Sequence, residues 1–477
     1  MLGYDSDRMR FYDKMHETLG DVTPFVGGVA LHRFHQVAEV MHNPRQKRGR
    51  YIGARMVPGR CMEPSSLLFR STGAEHTRMR SFIRARLAGL ASAAPSSALL
   101  PSIVAESHGG GPPETVTGKV RRAIARNLWY RIFGERPSHS TEANLLEYFE
   151  WGGTCIFGET FHAITFNYFL RNVERIRKRA YADAKDTRVG AALFDAALAE
   201  FGDTASAIEV LSQVSDSVLF AGLLGVSHLV EHALARVRQA PEKHVPLWHA
   251  DAEAFLLESA RVDPPVTSVT AVLEEDRVFD NVGSGLRSTG QVRVLLEKGT
   301  TVQLSISTAN RDPKIFGGPA QSRKVARQFD PTRPRSELDK VLSWNGMHAS
   351  VVKGSAPRGC LGFHVGFKLA IQVIDRYFPH VDSSTAHRGA GGDAGARGAN
   401  ATTSSKLHDL TAANSAFSMH GSSFNRVVGE SIWFVSCAIG TLYIKYSVPT
   451  SYGLVSGAFA HFLVAHAARA FCKLVAL

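Results

Sequence analysis

The stretch AFLLESARVDPPV, residues 254–266, decides the fold. Glu258 and Arg261 lie three residues apart, so they share one face of a predicted helix, which two prolines end immediately afterwards. Such a pair alone is most often an ordinary surface ion pair. The segments ANRDP and FDPTRP follow, however, and the second brings Arg333 within reach of the same pair. The sequence therefore predicts one acid and two arginines in a single cluster.

A cysteine with basic residues near it comes later in the chain. Cys360 lies in RGCLGFHVGFKLAIQVI, with Arg358 two residues before it and Gly362 two residues after it. Near the N-terminus, His76 and Arg80 are one helical turn apart, so both side chains can point at one anion. A solvated basic helix face explains this second pair equally well.

In this order, ExxR with PPV, ANRDPxxF, FDPxR and a cysteine followed by xG resemble the C-terminal half of a cytochrome P450. The resemblance covers about residues 10–380. It implies the cytochrome P450 fold, mainly α with a small β component, and haem b as the cofactor. The residues that it assigns are Glu258, Arg261 and Arg333 in a structural network, Cys360 as the axial iron ligand, His76, Arg80 and Arg358 at the propionates, and Gly362 where the next helix approaches the haem.

The helix that matches the family's helix over the haem reads SDSVLFAGLLGVSHLVEHAL. Ala221 and Gly222 match the family's small pocket residues. The next four residues read LLGV, where oxygen-activating members carry an acid and an alcohol that deliver protons. A chain without this relay is poorly suited to ordinary monooxygenation. Thr308 and Ala309, after the predicted strands, are further pocket candidates by position alone.

The loop before the cysteine also departs from the ordinary pattern. In SWNGMHASVVKGSAPRGC, Lys353 and Ala356 replace the usual phenylalanine and glycine, and the loop is long. Its Trp-Asn-Gly segment, residues 344–346, resembles the branch of allene oxide synthases, hydroperoxide lyases and related divinyl ether and epoxyalcohol synthases. That branch usually has an asparagine on the helix over the haem, where this chain has Val-Leu-Phe at 218–220.

The resemblance implies a haem-thiolate enzyme that rearranges or cleaves fatty-acid hydroperoxides. Such enzymes take neither O2 nor electrons from a reductase, because the substrate brings its own oxygen–oxygen bond. An O2- and NAD(P)H-dependent cytochrome P450 monooxygenase, which needs a reductase partner, is the alternative. A non-catalytic relative that binds haem or lipid is a third. The expected ligand is a fatty-acid hydroperoxide or another apolar small molecule.

Composition and charge narrow the class of protein further. The 477 residues carry a net charge of +12, but the basic residues form short scattered clusters without a nucleic-acid motif, so no nucleic-acid partner is expected. The five cysteines are widely spaced and never form a CxxC pair, which favours a reducing compartment. No apolar run opens the sequence, so no signal peptide is predicted and an intracellular location is expected.

Three regions follow from composition: a haem domain at 1–380, a Gly/Ser-rich linker or loop at 381–406, and an apolar tail at 407–477. The tail contains an uncharged stretch that reaches the length needed to span a bilayer, weakened by Pro449 and several polar residues. Membrane insertion or contact with a membrane surface, and packing onto the main domain, all stay open for it. Apolar periodicity predicts helices at 119–135, 158–180, 186–201 and 205–240, and strand signals fall between 266 and 308.

Overall fold

The computed structural model describes residues 8–25, 28–43, 47–48, 73–88, 116–147, 167–215, 219–282 and 291–377. Within these residues the chain is mainly helical and contains three small sheets. The predicted fold class, mainly α with a small β component, is confirmed. The predicted linker at 381–406 and tail at 407–477 lie outside the described residues.

The longer helices form most of the described structure. In chain order they are α1 Arg8–Leu19, α2 Phe34–His42, α3 Ala74–Ala88, α4 Val116–Phe133, α5 Asn167–Asp186, α6 Arg188–Phe201, α7 Thr204–Gln213, α8 Leu219–Gln239, α9 Pro241–Ala250 and α10 Ala252–Val262. Five short helices and one long one follow: α11 Ile306–Ala309, α12 Pro313–Phe316, α13 Arg323–Arg327, α14 Arg335–Leu338, α15 His348–Val352 and α16 Phe363–Tyr377.

The strands are short. They are β1 Val22–Phe25, β2 Gly28–Leu31, β3 Lys47–Arg48, β4 Ser268–Val272, β5 Arg277–Val282, β6 Gln291–Leu296, β7 Thr301–Ser305, β8 Leu342–Ser343 and β9 Gly346–Met347. One sheet has the order β1-β2-β7-β4-β3, and β5-β6 and β8-β9 form two hairpins. Among these strands only the β2–β7 pairing is parallel. The five-stranded sheet combines strands that precede the long helices, β1 to β3, with strands that follow α10, β4 and β7.

The larger apolar core lies among the long helices, with α8 packed against α4 and α16. Buried side chains from three helices meet there, among them Val230 of α8, Leu128 of α4 and Ile374 of α16. The contact between α8 and α16 is close, because a Cβ built on Gly366 would lie 2.8 Å from Cγ2 of Val226. This glycine allows the helix after Cys360 to pack directly beneath α8.

Helix boundaries follow local capping groups. The Thr187 side chain accepts the Gly190 N–H at the start of α6, and Gly202 ends that helix with a φ of 81°. The Asp203 side chain then accepts the Ser206 N–H at 2.8 Å and begins α7. The predicted helix at 186–201 is therefore confirmed closely, whereas the stretch at 205–240 divides into α7 and α8.

The strand prediction was incomplete. Strands β4 to β7 lie in the predicted region at 266–308, but β1, β2, β3, β8 and β9 were not expected. Each of these five has two or four residues, which is too few for alternation of apolar and polar residues to show clearly. No described helix is long and apolar enough to cross a membrane.

Candidate functional site

Cys360 lies directly before α16 and faces an internal space. The Cys360 side chain has accessible surface, yet it lies deep enough among protein atoms that burial raises the pKa of its thiol. Both observations hold together when the sulfur borders a cavity inside the molecule rather than the outer surface. The surroundings of Gly362 agree, because a Cβ built there would meet no atom within 4 Å.

The N-terminal end of α16 and the residue before it supply backbone N–H groups that stabilise negative charge on the Cys360 sulfur. Burial is the largest influence and raises the pKa of the Cys360 thiol, but the backbone N–H groups of Gly362 and Phe363 donate hydrogen bonds to it and lower the pKa. The nearby charge of Arg80 acts in the same direction. Donors at a helix N-terminus and a neighbouring guanidinium favour the thiolate. A metal cation that binds here can therefore displace the thiol proton.

Three basic side chains from distant parts of the chain meet beside Cys360. Nη1 of Arg358 donates to Nε2 of His76 at 2.7 Å, and both side chains are buried. Because a guanidinium only donates, Nε2 of His76 is the acceptor in this pair. Arg80, one turn further along α3, donates to the carbonyl oxygen of Gly359. The structure thus places α3 against the cysteine loop, with cationic groups suited to binding carboxylates.

The small residues of α8 have different surroundings, because a Cβ built on Gly222 would lie 3.4 Å from Cδ1 of Leu128 on α4, whereas Gly225 faces free space. Ala221, Gly222 and Gly225 are half-buried, while their neighbours Leu223 and Leu224 are buried in the helical core. A Cβ built on Gly225 would meet no atom within 4 Å. The soft sulfur ligand, the cationic groups and the open surfaces of α8 and of the cysteine loop together fit haem b.

No acid or hydroxyl group occupies positions 221–226 of α8, the segment that matches the proton relay of oxygen-activating cytochromes P450. Leu223 and Leu224 pack in the core, and Val226 packs against Gly366 of α16. Ser227, the next hydroxyl along the helix, is completely buried. Of the residues at 218–220, Val218 lies outside the described part of the chain, and Leu219 is buried.

Glu258 and Arg261 form the buried pair that the sequence predicted, and neither side chain has any exposed surface. Nε and Nη2 of Arg261 donate to the two carboxylate oxygens of Glu258, each at 2.7 Å. Arg333 adds a third contact, from its Nε to Oε1 of Glu258 at 3.1 Å. This bidentate geometry is the strongest arrangement for an arginine and a carboxylate.

Backbone carbonyl groups accept most of the remaining donors of the two arginines, and a second carboxylate, that of Glu337, lies 3.1 Å from Nη1 of Arg333. Arg261 donates to the carbonyl oxygens of Asn310 at 2.9 Å and Gln328 at 2.8 Å, and Arg333 donates to that of Phe316 at 2.9 Å. The network therefore connects α10 to the segment that contains Asn310, Phe316 and Gln328 and that precedes the cysteine loop. Its buried charges are compensated, as a stable buried network requires.

Thr308 and Ala309, the pocket candidates chosen by position, lie in α11 at the end of β7, and their place in a pocket stays a prediction. Both are buried in the core beside the five-stranded sheet. The Thr308 hydroxyl donates to Ser305 Oγ at 2.8 Å and lies 3.3 Å from Nδ1 of His32. These residues complete a core of hydrogen-bonded polar groups.

The turn at Trp344 and Asn345 is the feature of the cysteine loop that sequence reasoning missed. Both residues have positive φ, 56° and 63°, and they form the two-residue turn between β8 and β9. An Asn-Gly pair is the usual centre of such a turn, which would place it one residue later. Gly346 lies instead in β9, where it pairs with Ser343 and where a Cβ would be 2.9 Å from Cβ of Ala356.

The two substituted positions of the loop have different surroundings. Ala356 is buried against Gly346 and Gly359, whereas Lys353 is exposed. The space that a larger residue at 356 would need is therefore already filled. The aromatic side chain that packs near Cys360 comes from Trp344, whose carbonyl oxygen accepts the Cys360 N–H at 2.8 Å.

Comparison with known proteins gives a result for structure alone. No protein-family model matches the chain, and no curated protein sequence matches it. Among solved structures, epothilone B-bound cytochrome P450epoK has a TM-score of 0.57 and 15% identity, covering 79% of this chain and 90% of that chain. CYP164A2 of Mycobacterium smegmatis with econazole bound has a TM-score of 0.54 and 19% identity, covering 80% and 91%.

A third structure is cytochrome P450BioI in complex with an acyl carrier protein that carries hexadec-9Z-enoic acid. Its TM-score is 0.53 at 17% identity, and the match covers 78% of this chain and 91% of that chain. At such identities the likeness shows the fold and not the substrate. Cytochromes are haem proteins, so the likeness agrees with haem b as the expected cofactor. The chain has the cytochrome P450 fold, which its ExxR and cysteine motifs predicted.

Proposed function

We propose that this chain is a haem-thiolate enzyme that rearranges or cleaves fatty-acid hydroperoxides without O2 and without a reductase. The single observation that carries the proposal is the convergence of Cys360 with His76, Arg80 and Arg358 around one internal space. The choice of hydroperoxide chemistry rests in addition on the sequence of α8 and on the resemblance of the cysteine loop.

The residues of this site have distinct tasks in the proposal. Cys360 would hold the haem iron, and the N–H groups of Gly362 and Phe363 would disperse the charge of its sulfur. His76, Arg80 and Arg358 bind the two propionates. Haem, when bound, supplies the one-electron chemistry that cleaves an oxygen–oxygen bond.

The apolar character of α8 supports a substrate that already contains the oxygen–oxygen bond. Activation of O2 requires protons delivered to the bound oxygen, and Leu223, Leu224 and Gly225 carry no group that can deliver them. Rearrangement of a hydroperoxide consumes no electrons from outside, so a dry apolar wall suits it. The fatty acyl chain held in the P450BioI complex is a precedent for a long apolar ligand in this fold.

Turnover without an electron donor is the test of this proposal. The full chain loaded with haem is mixed with linoleic acid hydroperoxide, and the loss of conjugated-diene absorbance is followed without NAD(P)H or reductase. We expect rapid loss and a defined product, such as an allene oxide derivative, an aldehyde or an epoxyalcohol, identified by mass spectrometry.

Haem-loaded Cys360→Ala protein is the control, because haem without a thiolate also decomposes hydroperoxides slowly and gives product mixtures. Turnover that appears only with NAD(P)H and a reductase would identify a monooxygenase instead. Haem binding without turnover under either condition would identify a non-catalytic relative, and both results would contradict the proposal.

A further inference from the structure

We propose that Arg131 and Gln372 form a binding site for an oxyanion, either a carboxylate or a phosphate group, between α4 and α16. The juxtaposition behind this proposal is a buried guanidinium that faces a neutral amide instead of a carboxylate. Gln372 lies nine residues beyond Phe363, about 14 Å further along the axis of α16. The site is therefore separate from the haem contacts at Cys360 and Arg358, which precede that helix, and it does not depend on the proposed function.

The guanidinium of Arg131 is a buried charge. Arg131 lies in the last turn of α4 and is only 4% exposed. Burial lowers the pKa of its guanidinium, and no carboxylate of the described residues acts in the opposite direction. Arginine stays charged in proteins even so, because its pKa lies far above neutral. A buried charge without a counter-charge is costly, so an anion that binds there would stabilise the folded state.

The polar contacts of Arg131 leave donors for such an anion. Nη2 of Arg131 donates to Oε1 of Gln372 at 2.8 Å, but an amide oxygen brings no negative charge. Nε of Arg131 is buried and has no hydrogen-bond partner among the described residues. A buried donor without an acceptor adds to the cost of the buried charge. The planar fork of a guanidinium matches a carboxylate or a phosphate group, which accept two parallel hydrogen bonds from it.

The other buried arginines of the described residues show what such a group requires. Three of them contact carboxylates of the chain itself, namely Arg33, Arg261 and Arg333. The fourth, Arg358, is assigned above to a propionate of haem, an anion that comes from outside the chain. Arg131 is the fifth, and its contact with Gln372 supplies no charge. By the same physical requirement, we infer that its counter-charge also comes from a bound anion.

An anion can reach this site from the surface. Gln372 is half-buried, and Gly134, three residues after Arg131, is exposed, so the guanidinium lies at the rim of the helical core. The nearest acid along the same face of α16 is Asp375, one turn beyond Gln372. Its carboxylate accepts the Nε1–H of Trp248 at 2.9 Å and is therefore directed to another contact.

The experiment measures how oxyanions change the stability of the full chain loaded with haem. Wild type, Arg131→Gln, Gln372→Glu and Arg376→Gln are unfolded with urea at constant ionic strength, with and without sodium phosphate, acetate or octanoate. Arg376→Gln is the matched control, because it removes an exposed arginine from the same end of α16. A ligand that binds only the folded protein raises the urea midpoint as its concentration increases. Titration calorimetry measures the affinity of the same anions.

We expect phosphate or acetate to raise the midpoint of wild type and of Arg376→Gln. Arg131→Gln should bind these anions roughly tenfold or more weakly, because it loses hydrogen bonds from a charged group. Gln372→Glu places a carboxylate of the same length beside Arg131, so it should be more stable than wild type without added oxyanion and should not respond to one. Because it retains the arginine, this variant also carries the test if Arg131→Gln does not fold.

The anion series identifies the source of the oxyanion. Octanoate that binds wild type at least tenfold more tightly than acetate, in an Arg131-dependent manner, would identify the headgroup of an apolar acid as the ligand. Equal affinities would identify a small free oxyanion. Both results support the site, because both require the guanidinium.

A wild-type midpoint that does not respond to any of the three anions overturns the inference. An equal response in wild type and Arg131→Gln overturns it as well, because the anions would then act on the general surface. The same holds if Gln372→Glu is less stable than wild type without added oxyanion, since Arg131 would then need only the amide and water. None of these readouts measures hydroperoxide turnover, so the proposed function is tested separately.

Discussion

At Cys360, burial and the local donors act on the same thiol in opposite directions. Burial raises the pKa of the thiol, while two backbone N–H groups and Arg80 lower it. A buried thiol with donors already in place is inert without a metal and becomes a strong ligand when one is offered. The neighbouring basic residues are suited to a group that brings two negative charges with its metal.

Removal of one of these basic groups should weaken haem binding. Arg358→Ala is expected to accelerate haem loss by about ten- to hundredfold, because a hydrogen bond to a charged group contributes roughly 1.5–3 kcal/mol. Transfer of haem to apomyoglobin measures the rate. Lys353→Ala removes a cation from the same loop at an exposed position and should leave the rate unchanged. Equal rates in Arg358→Ala and wild type would contradict the assignment of Arg358.

Residue identity made part of this site predictable. His76, Arg80, Arg358 and Cys360 could be named from motifs, because their chemical roles depend on residue type and order along the chain. The turn at Trp344 could not, since turn propensity favours Asn-Gly at its centre, whereas Trp344 and Asn345 hold the two positions with positive φ and Gly346 packs against the distant Ala356. Sequence signals for turns are local, and this contact is not.

Among the elements, α10 carries an ion pair that is fully buried from water, and its packing in the fold relies on that pair. It carries Glu258 and Arg261 with no exposed side-chain surface, together with a surface pair between Glu253 and Arg335. The ExxR spacing predicted that the two side chains meet, because residues three apart share a helix face, but the spacing alone did not predict their burial. The carbonyl partners at Asn310 and Gln328 are distant in sequence and have no signal there.

Loss of the buried carboxylate should be costly for stability. Glu258→Gln is expected to lower the free energy of unfolding by about 3–5 kcal/mol, because it leaves the buried Arg261 without its anionic partner and leaves Arg333 with Glu337 alone. Urea unfolding followed by circular dichroism measures the change. Glu253→Gln, on the same helix but half-exposed, should cost about 1 kcal/mol or less. Similar losses in the two variants would contradict a central role for the buried network.

On the scale of the whole molecule, each of the two main cores contains a buried histidine. His32 lies in hydrogen-bond contact with Thr23 and Thr308 beside the sheet, and His228 lies on α8. Burial lowers the pKa of each to about 3, with smaller contributions from neighbouring positive groups. The fold was predictable in outline because long helices and ordered motifs dominate it. The contact between His32 and Thr308 was not predictable, because these residues are 276 positions apart in the sequence.

Both histidines make the folded state less stable in acid. The unfolded chain binds a proton at each near pH 6.5, while the folded chain does not until about pH 3, so stability is complete above pH 6.5 and falls as pH decreases between these values. Each histidine should cost about 2 kcal/mol of unfolding free energy between pH 6.5 and about pH 5. Urea unfolding over this range should show the decrease, and His228→Gln should show a smaller one. Stability that rises as pH falls would contradict the assignment, and exposed His139→Gln is the control.

The central claim is that the Cys360 sulfur binds haem iron, and the carbon monoxide complex of the reduced protein tests it most directly. The wild type should give the long-wavelength absorbance band of thiolate-ligated haem, and Cys360→Ala should give none while it still binds haem through its propionate contacts. The same band in Cys360→Ala, or its absence from haem-loaded wild type, would contradict the account.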